Sequence, residues 1–178
     1  LRRQRQMCIR DRTFSNTEYT KSREGKICRY VFNGSNNFYT AYMVNDHDDY
    51  VHRVELVSNG CLIRKDYFTY GRVYSEYFAP LNNEAHLYHR RFFNEDGSVA
   101  YEEMIDDDRV MYKFKDMMLC SKEELVGYMV SKLNLTSDDV ILIDRSTDIG
   151  QSILMNCKPA RVGTVVHLSL IHISEPTR

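Results

Sequence analysis

The residues with most chemical promise stand where apolar runs stop. The stretch DVILIDRSTDIGQSIL, 139–154, passes through aliphatic residues and ends on the charged pair Asp144-Arg145, and RVGTVVH, 161–167, ends on His167. In an open parallel sheet, ligands collect at the carboxyl ends of the strands, where helix N-termini direct backbone N–H groups outward. A carboxylate, a guanidinium and an imidazole at such ends can hydrogen-bond or ion-pair with a ligand. They also have a local reading, in which Asp144 caps the following turn and pairs with Arg145 while His167 simply closes a strand.

Two kinds of pattern must position these groups. From about 27 to 114 the chain reads as short strands in series: ICRYVF (27–32), FYTAYMV (38–44), VHRVELV (51–57), CLIRKDYFTY (61–70), RVYSEYF (72–78), AHLYHRRFF (85–93), VAYEEMI (99–105) and VMYKF (110–114). The period of two, the Tyr/Phe/Val content and turns such as Ser58-Asn59-Gly60 and Asn94-Glu95-Asp96-Gly97 predict an antiparallel meander. Both faces of 61–70 carry apolar residues, which predicts a sheet covered on each side.

After residue 120 the period lengthens. Ser121 to Glu124 forms a capping box, and Leu125, Val126, Met129, Val130 and Leu133 recur at helical spacing to about Asn134. VILID (140–144) reads as a strand buried on both faces, 150–156 as a second helix, Lys158-Pro159-Ala160 as its end and 161–167 as another strand. Strand, helix, strand with short links is a parallel βαβ unit, the edge of a doubly wound α/β domain.

Residues 1–12, LRRQRQMCIRDR, and 168–178, LSLIHISEPTR, read as translated sequencing-adapter sequence rather than structure. Setting them aside leaves 18 Lys/Arg against 23 Asp/Glu, a net charge of −5, which gives a nucleic-acid partner no support. No apolar run reaches the ~18 residues a membrane span needs. Cys28, Cys61, Cys120 and Cys157 are widely spaced and read as buried free thiols in a reducing cytoplasm. His86 and His89 are three apart on a strand and face opposite sides unless a bulge intervenes, so no metal site is expected there. The clusters 46–49 and 106–108 read as solvated acidic turns, lacking calcium-loop spacing. Arg90-Arg91 beside Tyr88 and Phe92 either grips an acceptor or partner or forms a mixed strand face.

Four segments, FFNEDGSVAYEEMID (92–106), LCSKEELVGYMVSKLNL (119–135), ILIDRSTDIGQSIL (141–154) and KPARVGTVVH (158–167), resemble the O-GlcNAc transferase of the accessory Sec system. That family is the catalytic subunit of a two-protein complex glycosylating serine-rich-repeat adhesins. The resemblance implies an α+β fragment: an antiparallel β-sheet insertion over 13–116, followed over 117–167 by part of a GT-B Rossmann-like parallel α/β domain. It implies retaining transfer of N-acetylglucosamine from UDP-N-acetylglucosamine to Ser or Thr, with no cofactor and no metal. His167 would hydrogen-bond the donor sugar, and Asp144 and Arg145 would shape the cleft through which acceptor passes. The partners implied are a homologous non-catalytic subunit and the adhesin, in the cytoplasm or peripheral to the membrane. Asp148 departs from the resemblance, which leads one to expect glycine there. The competing readings are a wall-teichoic-acid α-glycosyltransferase acting on polyol-phosphate polymer, the chaperone-like non-catalytic subunit itself, and a free-standing β-sheet module.

Overall fold

A computed structural model describes residues 18–47, 50–144 and 147–165, which divide into two units parting between Met118 and Leu119. The first holds nearly all of a ten-stranded antiparallel sheet in which every strand pairs with its neighbours in sequence: β1 (Tyr19–Glu24), β2 (Ile27–Phe32), β3 (Phe38–Met43), β4 (Val51–Ser58), β5 (Cys61–Phe68), β6 (Arg72–Leu81), β7 (Glu84–Phe93), β8 (Val99–Asp106), β9 (Arg109–Lys113) and β10 (Met118–Leu119). β1 and β10 were not expected from the sequence. β1 reads YTKSRE and is exposed along its whole length, so no apolar alternation marks it.

Turn chemistry explains the meander. Asn59-Gly60 and Asn82-Asn83 each place two consecutive residues at positive φ, the backbone of the tight hairpin turns whose twist suits paired strands. A register shift then interrupts each of the five pairings from β3·β4 to β7·β8. The extra residues are His52, Ile63, Val73, Tyr88 and Ala100, each on the later strand of its pair. Such bulges strengthen twist and locally reset which face a side chain occupies.

The sheet's own core is small. Cys28, Ala41, Met43 and Val54 are buried on one face, with Tyr30, Tyr39, Val51 and Phe68 packed around them. On the same face toward β5 and β6, buried Asp66 accepts from the Ser75 hydroxyl at 2.5 Å and lies 3.1 Å from Arg64 Nε.

The opposite face is organised by rows across strands. One row pairs Tyr42, Arg53, Tyr67, Tyr74, Phe92 and Tyr101 in turn. From Tyr67 onward, and through to Phe114, the rings stack with centroids 4.3–5.4 Å apart. Arg53 stands between Tyr42 and the stacked rings, its guanidinium 4.0 Å from the Tyr42 ring. The adjacent row alternates charge through Glu55, Lys65, Glu76, Arg90 and Glu103. Opposite charges directly across a sheet attract, so this order favours one register over its slipped alternatives.

Arg90 is the centre of that row. It donates to Glu76 and to Glu103, each at 3.1 Å. Burial disfavours its charge, but Glu103 and Glu76 outweigh that and hold its pKa above the ordinary value. Tyr67 donates to Glu76 at 3.0 Å, and burial with that bond raises its phenol. Burial, reinforced by Glu103, pushes Tyr101 up to about 12. Arg91, on the other face, is engaged by Glu102 at 2.7 Å. The Arg90-Arg91 pair therefore serves cross-strand ion pairing, the mixed-face reading.

The second unit contains α1 (Lys122–Ser131), β11 (Val140–Ile143), α2 (Ile149–Asn156) and β12 (Arg161–Thr164). β11 and β12 are parallel, from Val140 opposite Arg161 to Ile143 opposite Thr164, as a βαβ unit requires. The Ser121 hydroxyl accepts from the Glu124 N–H, but the Glu124 carboxylate takes the N–H of Cys120 rather than that of Ser121. α1 turns Leu125, Val126 and Val130 partly inward around its buried Gly127, as the periodicity suggests, whereas Met129 is 40% exposed and Leu133, beyond the end of the helix, is 62% exposed. The expectation that β11 is buried on both faces is also corrected. Ile143 is buried, whereas Val140 and Leu142 are 58% and 75% exposed, because α2 and β12 cover only part of the strand's surroundings among the described residues. The four described cysteines are free, and only Cys28 and Cys157 are buried; Cys61 follows a turn and Cys120 precedes a helix, both at the surface.

Arg90→Met leaves Glu76 and Glu103, on the strands either side of position 90 and with side chains 13% and 12% exposed, without the cation they share. It is expected to cost about 1–2 kcal/mol in urea denaturation, less than a fully buried pair because the guanidinium is partly solvated. Adding Glu76→Gln should recover part of the loss.

Candidate functional site

The carboxyl end of β11 opens into a concavity of about 400 Å3 lined by Leu142, Ile143, Asp144, Thr147, Asp148, Ile149, Gly150 and Ile153. Local chemistry builds it. Asp139 accepts from the Thr136 N–H at 2.6 Å and hydroxyl at 2.8 Å, fixing the turn that leads into β11. Those two bonds hold the Asp139 carboxyl below the usual carboxylate range. The ladder is closed at both ends, by Arg161 N–H to the Asp139 carbonyl and by Val165 N–H to the Ile143 carbonyl. Gly163 lies opposite Leu142, and a Cβ there would meet Leu142 Cδ2 at 2.9 Å, so the glycine lets Leu142 lie across β12.

α2 begins at the cleft. Asp148 occupies its N-cap position at φ +52°, ψ −108°, and its side chain makes no capping hydrogen bond. A non-glycine residue in that region is strained by roughly 1–3 kcal/mol. The departure from glycine noted in the sequence thus falls on a backbone that glycine suits. The first turn of α2 contains no acidic side chain, and Asp148 at the N-cap is the carboxylate nearest its positive end in sequence.

Asp144 lies in this lining and is exposed, at the end of β11 where the sequence placed it. Arg145 and His167 fall outside the described residues. The residues around the concavity are two aspartates, a threonine, a glycine and aliphatic residues, a mixed polar and apolar lining. Gly127 went unnoticed in the sequence, although glycine inside a helix costs about 1 kcal/mol and so signals a special contact.

Among the described residues no group of three or more His, Cys, Asp or Glu is set to hold a metal ion. The argument from opposite faces fails for His86 and His89, because the bulge at Tyr88 lies between them and puts both on one face. His89 is engaged instead with Glu102 at 3.4 Å and stacks on Tyr77. No helix among these residues is long and apolar enough to cross a membrane.

The model of the family described as the GtfA extended beta-sheet domain matches residues 20–116. Two curated relatives are both named UDP-N-acetylglucosamine--peptide N-acetylglucosaminyltransferase GtfA subunit. That of Streptococcus gordonii is 49% identical over 154 residues, 86% of this chain and 30% of its own. That of Streptococcus agalactiae is 48% identical over 152 residues, 85% of this chain and 30% of its own. The crystal structure of a GtfA/B complex aligns at a TM-score of 0.77 with 46% identity, over 88% of this chain and 31% of that one. The pneumococcal O-GlcNAc transferase GtfA in complex with UDP and GlcNAc aligns at 0.77 with 39% identity, over 84% and 30%. This chain therefore spans about 30% of the length of the relatives it matches.

Asp148→Gly is expected to raise stability by about 1 kcal/mol in chemical denaturation, and Asp148→Ala to give no such gain. Asp139 contributes stability above the unfolded carboxylate pKa, near 4, and loses it as pH falls through the lower folded value. Asp139→Asn should make the acid limb of the stability profile shallower.

Proposed function

The chain belongs to the GtfA extended beta-sheet domain family, and on that premise we propose that it is part of a UDP-N-acetylglucosamine-dependent protein O-glycosyltransferase. The observation that carries this reading is that 48–49% identity to the two peptide N-acetylglucosaminyltransferase subunits runs over 152–154 residues, beyond the 20–116 sheet region and into the βαβ unit. In the whole protein, the sugar's anomeric carbon passes from the diphosphate oxygen of the donor to a Ser or Thr hydroxyl of a serine-rich-repeat adhesin. The βαβ unit belongs to a GT-B Rossmann-like domain over 117–167, and the sheet over 13–116 receives acceptor and a homologous non-catalytic subunit.

Roles in the cleft follow from this reading. Asp144 and Arg145 shape the passage for the acceptor chain. His167 hydrogen-bonds the donor sugar. Charge on the departing diphosphate is met by helix N-termini and basic side chains, with no metal required. The protein works in the cytoplasm or against the inner face of the membrane.

Most donor-stabilising groups belong to the part of the relatives that this chain does not span. Losing them removes several kcal/mol of transition-state stabilisation, about tenfold in rate per 1.4 kcal/mol. The chain alone should release no UDP from UDP-N-acetylglucosamine. A chimera of the S. gordonii relative, with residues 18–165 of this chain replacing the matching segment, should glycosylate a serine-rich peptide and continue to do so in EDTA. A folded chimera that modifies polyol-phosphate polymer instead, or neither acceptor, would overturn the reading.

A further inference from the structure

The two helices of the second unit meet at Gly127. A Cβ built on Gly127 would lie 2.7 Å from both Ser152 Oγ and Asn156 Nδ2, so even alanine enters only if something moves. Both neighbours are hydrogen-bonded. The Ser152 hydroxyl donates to the Glu123 carbonyl of α1 at 2.5 Å, and the Asn156 amide donates to the Ser152 carbonyl at 2.8 Å. The contact therefore sets both the separation of the helices and the axial position of α2 against α1. Its far end matters for the site. Ile149, Gly150 and Ile153, all on α2, form part of the cleft wall, while Gly127, Ser152 and Asn156 lie outside the lining. Ser152 is three residues beyond Ile149, less than one helical turn, so a shift at the contact reaches the cleft almost undamped.

We propose that Gly127, Ser152 and Asn156 are positioning residues for the transfer reaction. Their close contact fixes where the first turn of α2 stands at the end of β11, and through it how substrate is seated. The inference rests on the transferase reading for its substrates, but its geometric half stands apart. A residue that only stabilised the fold would lower the melting temperature and the fraction of active enzyme. That would scale kcat and leave KM unchanged.

The test uses the chimera described above. Gly127→Ala should raise KM for UDP-N-acetylglucosamine or for the serine-rich peptide severalfold. Adding Asn156→Ala, which removes one obstructing atom and keeps the Ser152–Glu123 bond, should bring KM part of the way back toward the parent value. Where Gly127→Ala does not fold, Ser152→Ala alone, which deletes the bond to Glu123 without adding bulk, takes its place under the same KM criterion. Unchanged KM values overturn the proposal. If the unsubstituted chimera transfers no sugar, the functional reading fails and amide exchange on this chain decides the geometric half. Gly127→Ala should then speed exchange at residues 147–151 at least tenfold relative to 140–143, and equal rates overturn it.

Discussion

Cross-strand pairing of side chains is the constraint on which the sheet unit depends. Its described residues, 18–47 and 50–118, hold strands and turns but no helix, and the buried apolar cluster has only four members. A meander of this kind cannot draw its register from a deep core. The rows across the face beginning at Tyr42 and at Glu55 take over that role, one through stacked rings and one through alternating charge. Each contact is modest, of order 0.2–1 kcal/mol relative to alanine pairs. Repetition across adjacent strands is what makes them decisive, because a slip of one residue would misalign every pair in a row together.

The second unit obeys a different rule. Here register comes from backbone closure at both ends of the β11·β12 ladder, and helix position comes from the contact at Gly127. The charges of the sheet rows are spent on one another. Asp144, just past the end of β11, and Asp148, at the start of α2, line a concavity. That contrast gives the functional reading its location.

Much of this was legible in the residues. Period-two alternation with Asn-Gly and Asp-Gly turns marked the hairpins from β2 to β9, and the Ser121–Glu124 cap marked the start of α1 to the residue. Strand–helix–strand spacing foretold the parallel pair. β1 was missed because a polar, fully exposed edge strand carries no hydrophobic signal. The bulges were missed because they arise from the fit of two strands rather than from either alone, and so the facing of His86 and His89 was misjudged. Gly127 escaped because a search for apolar repeats passes over a residue whose contribution is its lack of a side chain. Of the site residues, Asp144 stands where its pattern indicated, while Arg145 and His167 lie beyond what the structure describes.

The bulges beside the hairpin turns carry a consequence for how such a sheet can change. In a plain hairpin, gaining or losing one residue turns the remainder of the strand over and exchanges its inner and outer side chains. Here His52, Ile63, Val73 and Ala100 each sit within a residue or two of a loop, where the strand's facing is already being reset. An insertion there need only enlarge or erase an existing irregularity. The loops can therefore drift in length from one relative to another while the interior rows keep their partners, so that the rim evolves and the lattice stays.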